Sequence, residues 1–148
     1  MKKILLMSIL SIFSLAASAQ VVTLVKDTVY SKVLVGTPNK DLHDTILNNT
    51  STALPQVWAI SNQTTLPTGF SVTSVCTQPY PTGLGQCVNY TFAGHSEDTL
   101  PANGGMDFKL SMKLAANTVP GTIAYVKVNS DLLNKQMVFA IEAYAFPN

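Results

Sequence analysis

The stretch MDFKLSMKL, residues 106–114, decides the fold class. Met106, Phe108, Leu110, Met112 and Leu114 recur at every second position, with Asp107, Lys109, Ser111 and Lys113 between them. In an extended chain successive side chains point to opposite faces, so this stretch has one apolar and one wetted face. A helix would scatter the same residues around its axis. Period two with a polar opposite face predicts a half-buried antiparallel strand.

The pattern continues downstream. Pro120-Gly121 is a turn signal, and in TIAYVKVN the residues Ala124, Val126 and Val128 alternate with Ile123, Tyr125 and Lys127. A polar turn over residues 130–134 leads to KQMVFAIEAYAF, with Met137, Phe139 and Ile141 on one face. These three strands read as a meander. Upstream, VVTLVKDTVYSKVLVG reads as one long strand or two short ones. HDTILNN and PQVWAISN follow, separated by a polar turn at residues 50–52, and GFSVTSVC and CVNYTF flank the cysteines. The sum is seven to nine short strands with turn signals roughly every 8–12 residues, an all-β sandwich. Trp58, the sole tryptophan, reads as a core anchor. Met106, Met112 and Met137 carry soft sulfur suited to copper, yet their spacing is that of core faces.

The first residues, MKKILLMSILSIFSLAASAQ, follow another logic. Lys2 and Lys3 form a basic start, residues 4–15 an apolar run, and Ala17-Ser18-Ala19 a small-residue cleavage site, the pattern of a secretory leader. The run is shorter than the ~20 residues that span a bilayer, so residues 1–19 are expected to be removed and not to anchor the chain. Residues 20–148 are then expected to form one domain. All nine basic residues are lysines, against eight acids. Without Lys2 and Lys3, seven lysines stand against the eight acids; with no arginine and no basic surplus, nucleic-acid binding has no support. A charged fraction of 11% beside 47% hydrophobic residues excludes disorder.

Both cysteines lie in CTQPYPTGLGQC, residues 76–87. In an exported chain a pair of cysteines is expected to form a disulfide. Pro79, Pro81, Gly83 and Gly85 let the chain reverse between them. Free thiols and a metal site are the other readings, but no further thiolate or imidazole stands at zinc spacing, and the redox C-x-x-C spacing is absent. Closing this loop would stabilise by roughly 2–3 kcal/mol. Tyr80 and Leu84 are hard to bury in so short a loop, which makes it a candidate contact surface, ordered in advance by the staple.

The two histidines stand in DLHD (Asp41, His43, Asp44) and GHSED (His95, Ser96, Glu97, Asp98). Chain neighbours in extended segments face opposite ways, whereas a catalytic triad converges from separate elements. Both segments read as polar edges of turns. No EF-hand, H-E-x-x-H, G-x-S-x-G or phosphate-loop pattern occurs, so no catalytic, cofactor or metal residue is assigned. Asn48, Asn49, Asn62 and Asn89 begin Asn-x-Ser/Thr sequons, which matter only in a pathway with N-glycosylation.

The order of landmarks carries a resemblance. VLVGTPNKDLHDTILNNTSTALPQVWAI is followed by LPTGFSV, DTLPANGGMDFKLSMK, VPGTIAYVKVNSD and FAIEAYAF. This order resembles the immunoglobulin-like domains of the ASPM–SPD-2–Hydin type, relatives of the major sperm protein fold, as found in exported proteins of Bacteroidota. The resemblance implies an immunoglobulin-like Greek-key β-sandwich. The cysteine loop departs from the common pattern. In that group, Asp-Ser/Thr followed by an aliphatic residue marks O-glycosylation, which makes Thr28, Thr45 and Thr99 candidate glycan sites. Such domains often precede a C-terminal sorting module, and AYAFPN shows no such module, which favours the periplasm over the surface.

The expectation is a non-catalytic exported module, in the periplasm or at the cell surface, that binds another envelope or extracellular protein or glycan or serves envelope structure. The alternative is the subunit of a surface polymer, with VVTLVKDTVYSKVLV as a donated strand and self-association as its mark. A small hydrolytic or accessory enzyme is the third class.

Overall fold

The computed structural model describes residues 21–62, 64, 66–81, 83–89 and 95–147. The expected leader, residues 1–19, and residues 90–92 of the CVNYTF stretch lie outside the described residues. Ten strands follow in chain order: β1 (Val22–Leu24), β2 (Thr28–Leu34), β3 (Lys40–Asn48), β4 (Leu54–Ile60), β5 (Phe70–Tyr80), β6 (Gln86–Asn89), β7 (Ser96–Leu100), β8 (Gly105–Leu114), β9 (Ile123–Ser130) and β10 (Met137–Tyr144). They form two five-stranded sheets, one ordered β1-β3-β8-β5-β6 and the other β2-β10-β9-β4-β7. Only β5–β6 and β9–β10 are hairpins within a sheet; every other connection crosses between sheets, as in a Greek-key sandwich.

The alternation of β8 does what its sequence demands. Met106, Phe108, Leu110, Met112 and Leu114 are at most 2% exposed and face the second sheet. Ile46 from β3, Trp58 from β4, Val126 and Val128 from β9, and Phe139 and Ile141 from β10 meet them there. Trp58 stands edge-on to Phe108, ring centres 5.4 Å apart. Each such burial contributes about 1.5–3 kcal/mol. The three methionines are core.

Two expectations are corrected, and a third resolves to one of its two alternatives. The meander over β8, β9 and β10 does not exist: β8 pairs with β3 and β5, and only β9 and β10 form a hairpin. Alternation reports that a strand has one buried face, not which strand lies beside it, and the link over residues 115–122 spans the roughly 10 Å between sheets. The strand number is ten among the described residues, because GHSED is not a turn edge: Ser96 opens β7, with Ser96 and Leu100 turned inward. The N-terminal segment is two strands in different sheets, β1 against β3 and β2 parallel to β10.

The crossing from β1 to β2 is tied by Asp44. Its side chain lies on the core side of β3, 2% exposed, and Oδ1 accepts the Lys26 and Thr45 N–H groups at 3.2 and 2.8 Å. Oδ2 has no partner among the described residues. Burial raises the carboxyl's pKa above its ordinary 3.8, with the two N–H bonds and the nearby Lys26 charge working against the rise.

Candidate functional site: the disulfide hairpin and its neighbouring edge strand

The cysteine loop is shorter than its sequence suggests. β5 does not stop at Cys76 but continues to Tyr80, and β6 begins at Gln86. Cys76 and Cys87 stand opposite each other in the β5–β6 ladder and are joined as a disulfide, Cα atoms 4.0 Å apart. The staple therefore sits in the hairpin, and the turn around residues 81–85 projects beyond it. Gly85 is required by close approach: a Cβ there would collide with the Thr77 carbonyl.

The two candidate contact residues fare differently. Tyr80 lies opposite Gly105, where a Cβ would strike its ring, so Tyr80 lies against the sheet and is only 39% exposed. Leu84 is 95% exposed. A single exposed leucine is common on protein surfaces; what distinguishes this one is the turn that carries it, tied down by the disulfide below it.

A polar clasp joins this hairpin to the other sheet. Thr77, 2% exposed on β5, donates to Asp98 Oδ2 of β7 at 2.6 Å. Gln86 of β6 sends Nε2 to the Glu97 carbonyl at 2.5 Å and to Asp98 Oδ2 at 3.3 Å. Residues from β5, β6 and β7 thus close the sandwich along one margin. On that margin a cleft of about 550 Å³ lies between Leu84, Pro79, Pro101 and Ala102 and the acids Glu97 and Asp98. A second cleft of about 540 Å³ follows the same β7 residues toward Val57 and Asp131. Leu84 and the cysteines stand out in the sequence, but the clasp does not, because Thr77, Gln86 and Asp98 are polar residues of no fixed spacing brought together by topology.

Of the two histidines, His43 sits away from this margin and His95 beside it. His43 projects from the outer face of β3 and meets Asp107 of β8, Nδ1 to Oδ2 2.6 Å, while its neighbour Asp44 faces inward. His43, Asp107, Lys109 and the disulfide share the wall of a smaller cleft, about 360 Å³. His95 is exposed, 3.7 Å from Glu97, whereas Ser96 beside it is buried. Among the described residues no three His, Cys, Asp or Glu side chains stand together as a metal set.

Thr28 and Thr99 are exposed and Thr45 is half-buried. Each is followed by an inward residue, Val29, Ile46 or Leu100, at most 8% exposed. Strand alternation accounts for the inward aliphatic residue at each of these places. Asn48 is not a glycan acceptor in this fold: it is 2% exposed, and its Nδ2 donates to the carbonyls of Thr52 and Pro101 at 2.8 and 2.9 Å.

No protein-family model and no curated protein matches this chain. Among solved structures, the N-terminal domain of PorA superposes with a TM-score of 0.51 at 8% identity, covering 82% of this chain and 96% of that one. The fold is an immunoglobulin-like β-sandwich. Two further structures align less well: an ASH/PapD-like domain of human CEP192, TM-score 0.43 at 10% identity over 87% of both chains, and WR4, a C. elegans MSP family member, TM-score 0.39 at 9% identity over 83% of this chain and 97% of that one. At these identities the likeness is one of fold.

Proposed function

We propose that the protein is an exported, non-catalytic binding module whose contact surface is the margin formed by the disulfide hairpin and β7. The observation that carries this reading is Leu84, 95% exposed on a turn held from below by the Cys76–Cys87 bond and from the side by the Thr77–Gln86–Asp98 clasp. A surface ordered before contact loses little entropy on binding. The leader pattern of residues 1–19 and a disulfide in a small β-domain support export, to the periplasm or the cell surface. The partner is an envelope or extracellular protein or glycan. No helix among the described residues is long and apolar enough to cross a membrane.

The test is site-specific photo-cross-linking in the producing cells, with the probe at Leu84 and, for comparison, at Val119, which is 67% exposed on the β8–β9 link. One recurrent adduct from position 84 that is missing from position 119 supports the reading. The same adducts from both positions, or none, overturn it.

A further inference from the structure

The partner can be named more closely from the two edges of the second sheet. β2 ends it on one side and β7 on the other, and among the described residues neither has a second neighbouring strand. We propose that β7 of one molecule pairs with β2 of the next, so that the sheet continues from copy to copy. This rests on the binding-module reading above and makes the partner a second copy of this chain.

Direction comes first. β2 is parallel to β10, and the steps from β10 to β9, β9 to β4 and β4 to β7 are each antiparallel. β7 therefore runs against β2. Two copies side by side in the same orientation bring these edges together as an antiparallel pair, the stronger ladder.

Backbone groups fit as well. The Val35 N–H donates inward to the Tyr144 carbonyl at 2.9 Å, so alternation turns the amides and carbonyls of Tyr30 and Lys32 to the open edge. On β7 the Glu97 carbonyl points away from β4, where it accepts from Gln86, and Thr99 presents the same side, its N–H held by Asp98 Oδ1 at 3.1 Å until a strand replaces it.

Charge sets the register. β2, TVYSKVL, carries Lys32 and no acid; β7, SEDTL, carries Glu97 and Asp98 and no base. Placing Glu97 opposite Lys32 puts Thr99 opposite Tyr30 on the outer face. On the inner face Leu100 then meets Val29 and Ser96 meets Val33, all four buried in each copy's own core. A slip of one residue turns every pair to the wrong face, and a slip of two separates Lys32 from Glu97. Lys32 keeps a 59% exposed side chain beside its own Glu142, 3.1 Å away. Of the two clefts along Glu97, Asp98 and Thr99, one is walled on its far side by the hairpin tip and the other by β4. Gln86 guards the edge in the single molecule, since its amide occupies the Glu97 carbonyl that the incoming strand would use.

A contact between two different edges propagates head to tail, into a ring where the rotation closes and a filament where it does not. This is strand addition, not the donated N-terminal strand expected above, because β1 and β2 remain paired within their own chain.

The test is sedimentation velocity of the purified protein across a concentration series, with thermal melts confirming each variant's fold. The wild type is expected to form a concentration-dependent ladder of oligomers. Lys32→Glu and Glu97→Lys should each weaken it about tenfold; a 1:1 mixture of the two, or both changes in one chain, should restore it. Gln86→Ala should strengthen it. A strictly monomeric wild type overturns the self-pairing, and if Leu84 cross-linking still yields a foreign adduct the binding-module reading stands without it. Oligomers indifferent to both charge reversals overturn this strand pair.

Discussion

β8 and β7 both alternate inward and outward residues, yet they are held by different forces. β8 lies between β3 and β5 along its length, and its inner face is a row of large apolar side chains in a common core. β7 has β4 on one side, sends only Ser96 and Leu100 fully inward, and is fixed on the other side by the side chains of Thr77 and Gln86. Burial is non-directional and adds up over many contacts; the clasp consists of a few directional bonds, each worth about 0.5–1.5 kcal/mol net. A margin held that way can open without the centre opening, which suits a surface that meets a partner.

The contrast can be broken at either end. Phe108→Ala should cost about 3–5 kcal/mol by leaving a cavity against Trp58, read as a lower urea midpoint; a loss below about 1 kcal/mol would mean that the centre is not tightly packed. Cys76→Ala with Cys87→Ala should cost about 2–3 kcal/mol, less than the cavity, although it removes a covalent bond. Thr77→Val should cost about 1 kcal/mol and speed amide exchange in β7 while leaving β8 protected; equal acceleration in both strands would show that margin and centre open together. The smallest effect belongs to Asp44. Its folded-state pKa is raised, so the neutral carboxyl favours the fold below the ordinary 3.8, and that advantage is lost as pH rises through the raised value. Asp44→Asn should therefore gain stability relative to wild type as pH is increased from 3.8 upward, and a gap that narrows over that range would reverse the assignment.

The centre was legible because its force is written locally. Each of Phe108, Leu110, Met112 and Val128 announces its burial by the polar residues beside it. Sheet membership was not legible: the same alternation in β8 and β9 fits neighbours in one sheet or facing strands in two. The margin was harder still. The disulfide could be expected from two cysteines in a chain that opens with a leader pattern, but Thr77, Gln86 and Asp98 lie on three strands and none differs in kind from other polar residues nearby. β7 itself was hidden because, of its five residues, Ser96, Glu97, Asp98 and Thr99 are polar and only Leu100 is apolar. Asp44 read as part of a turn edge, when its inward position follows from sharing a face with Ile46, two residues on.

One feature of the N-terminal segment bears on how the molecule carries load. β2 lies parallel to β10 along its whole length, from Thr28 beside Val138 to Leu34 beside Tyr144. Tension that drew the start of β2 and the end of β10 apart would act along both strands in opposite senses. Every hydrogen bond between them would be sheared at once instead of being unzipped one by one. Rupture would then require the whole ladder to fail together, so the rate of forced unfolding along this axis should be set by the β2–β10 seam, and tension transmitted through the chain ends would meet its stiffest resistance there.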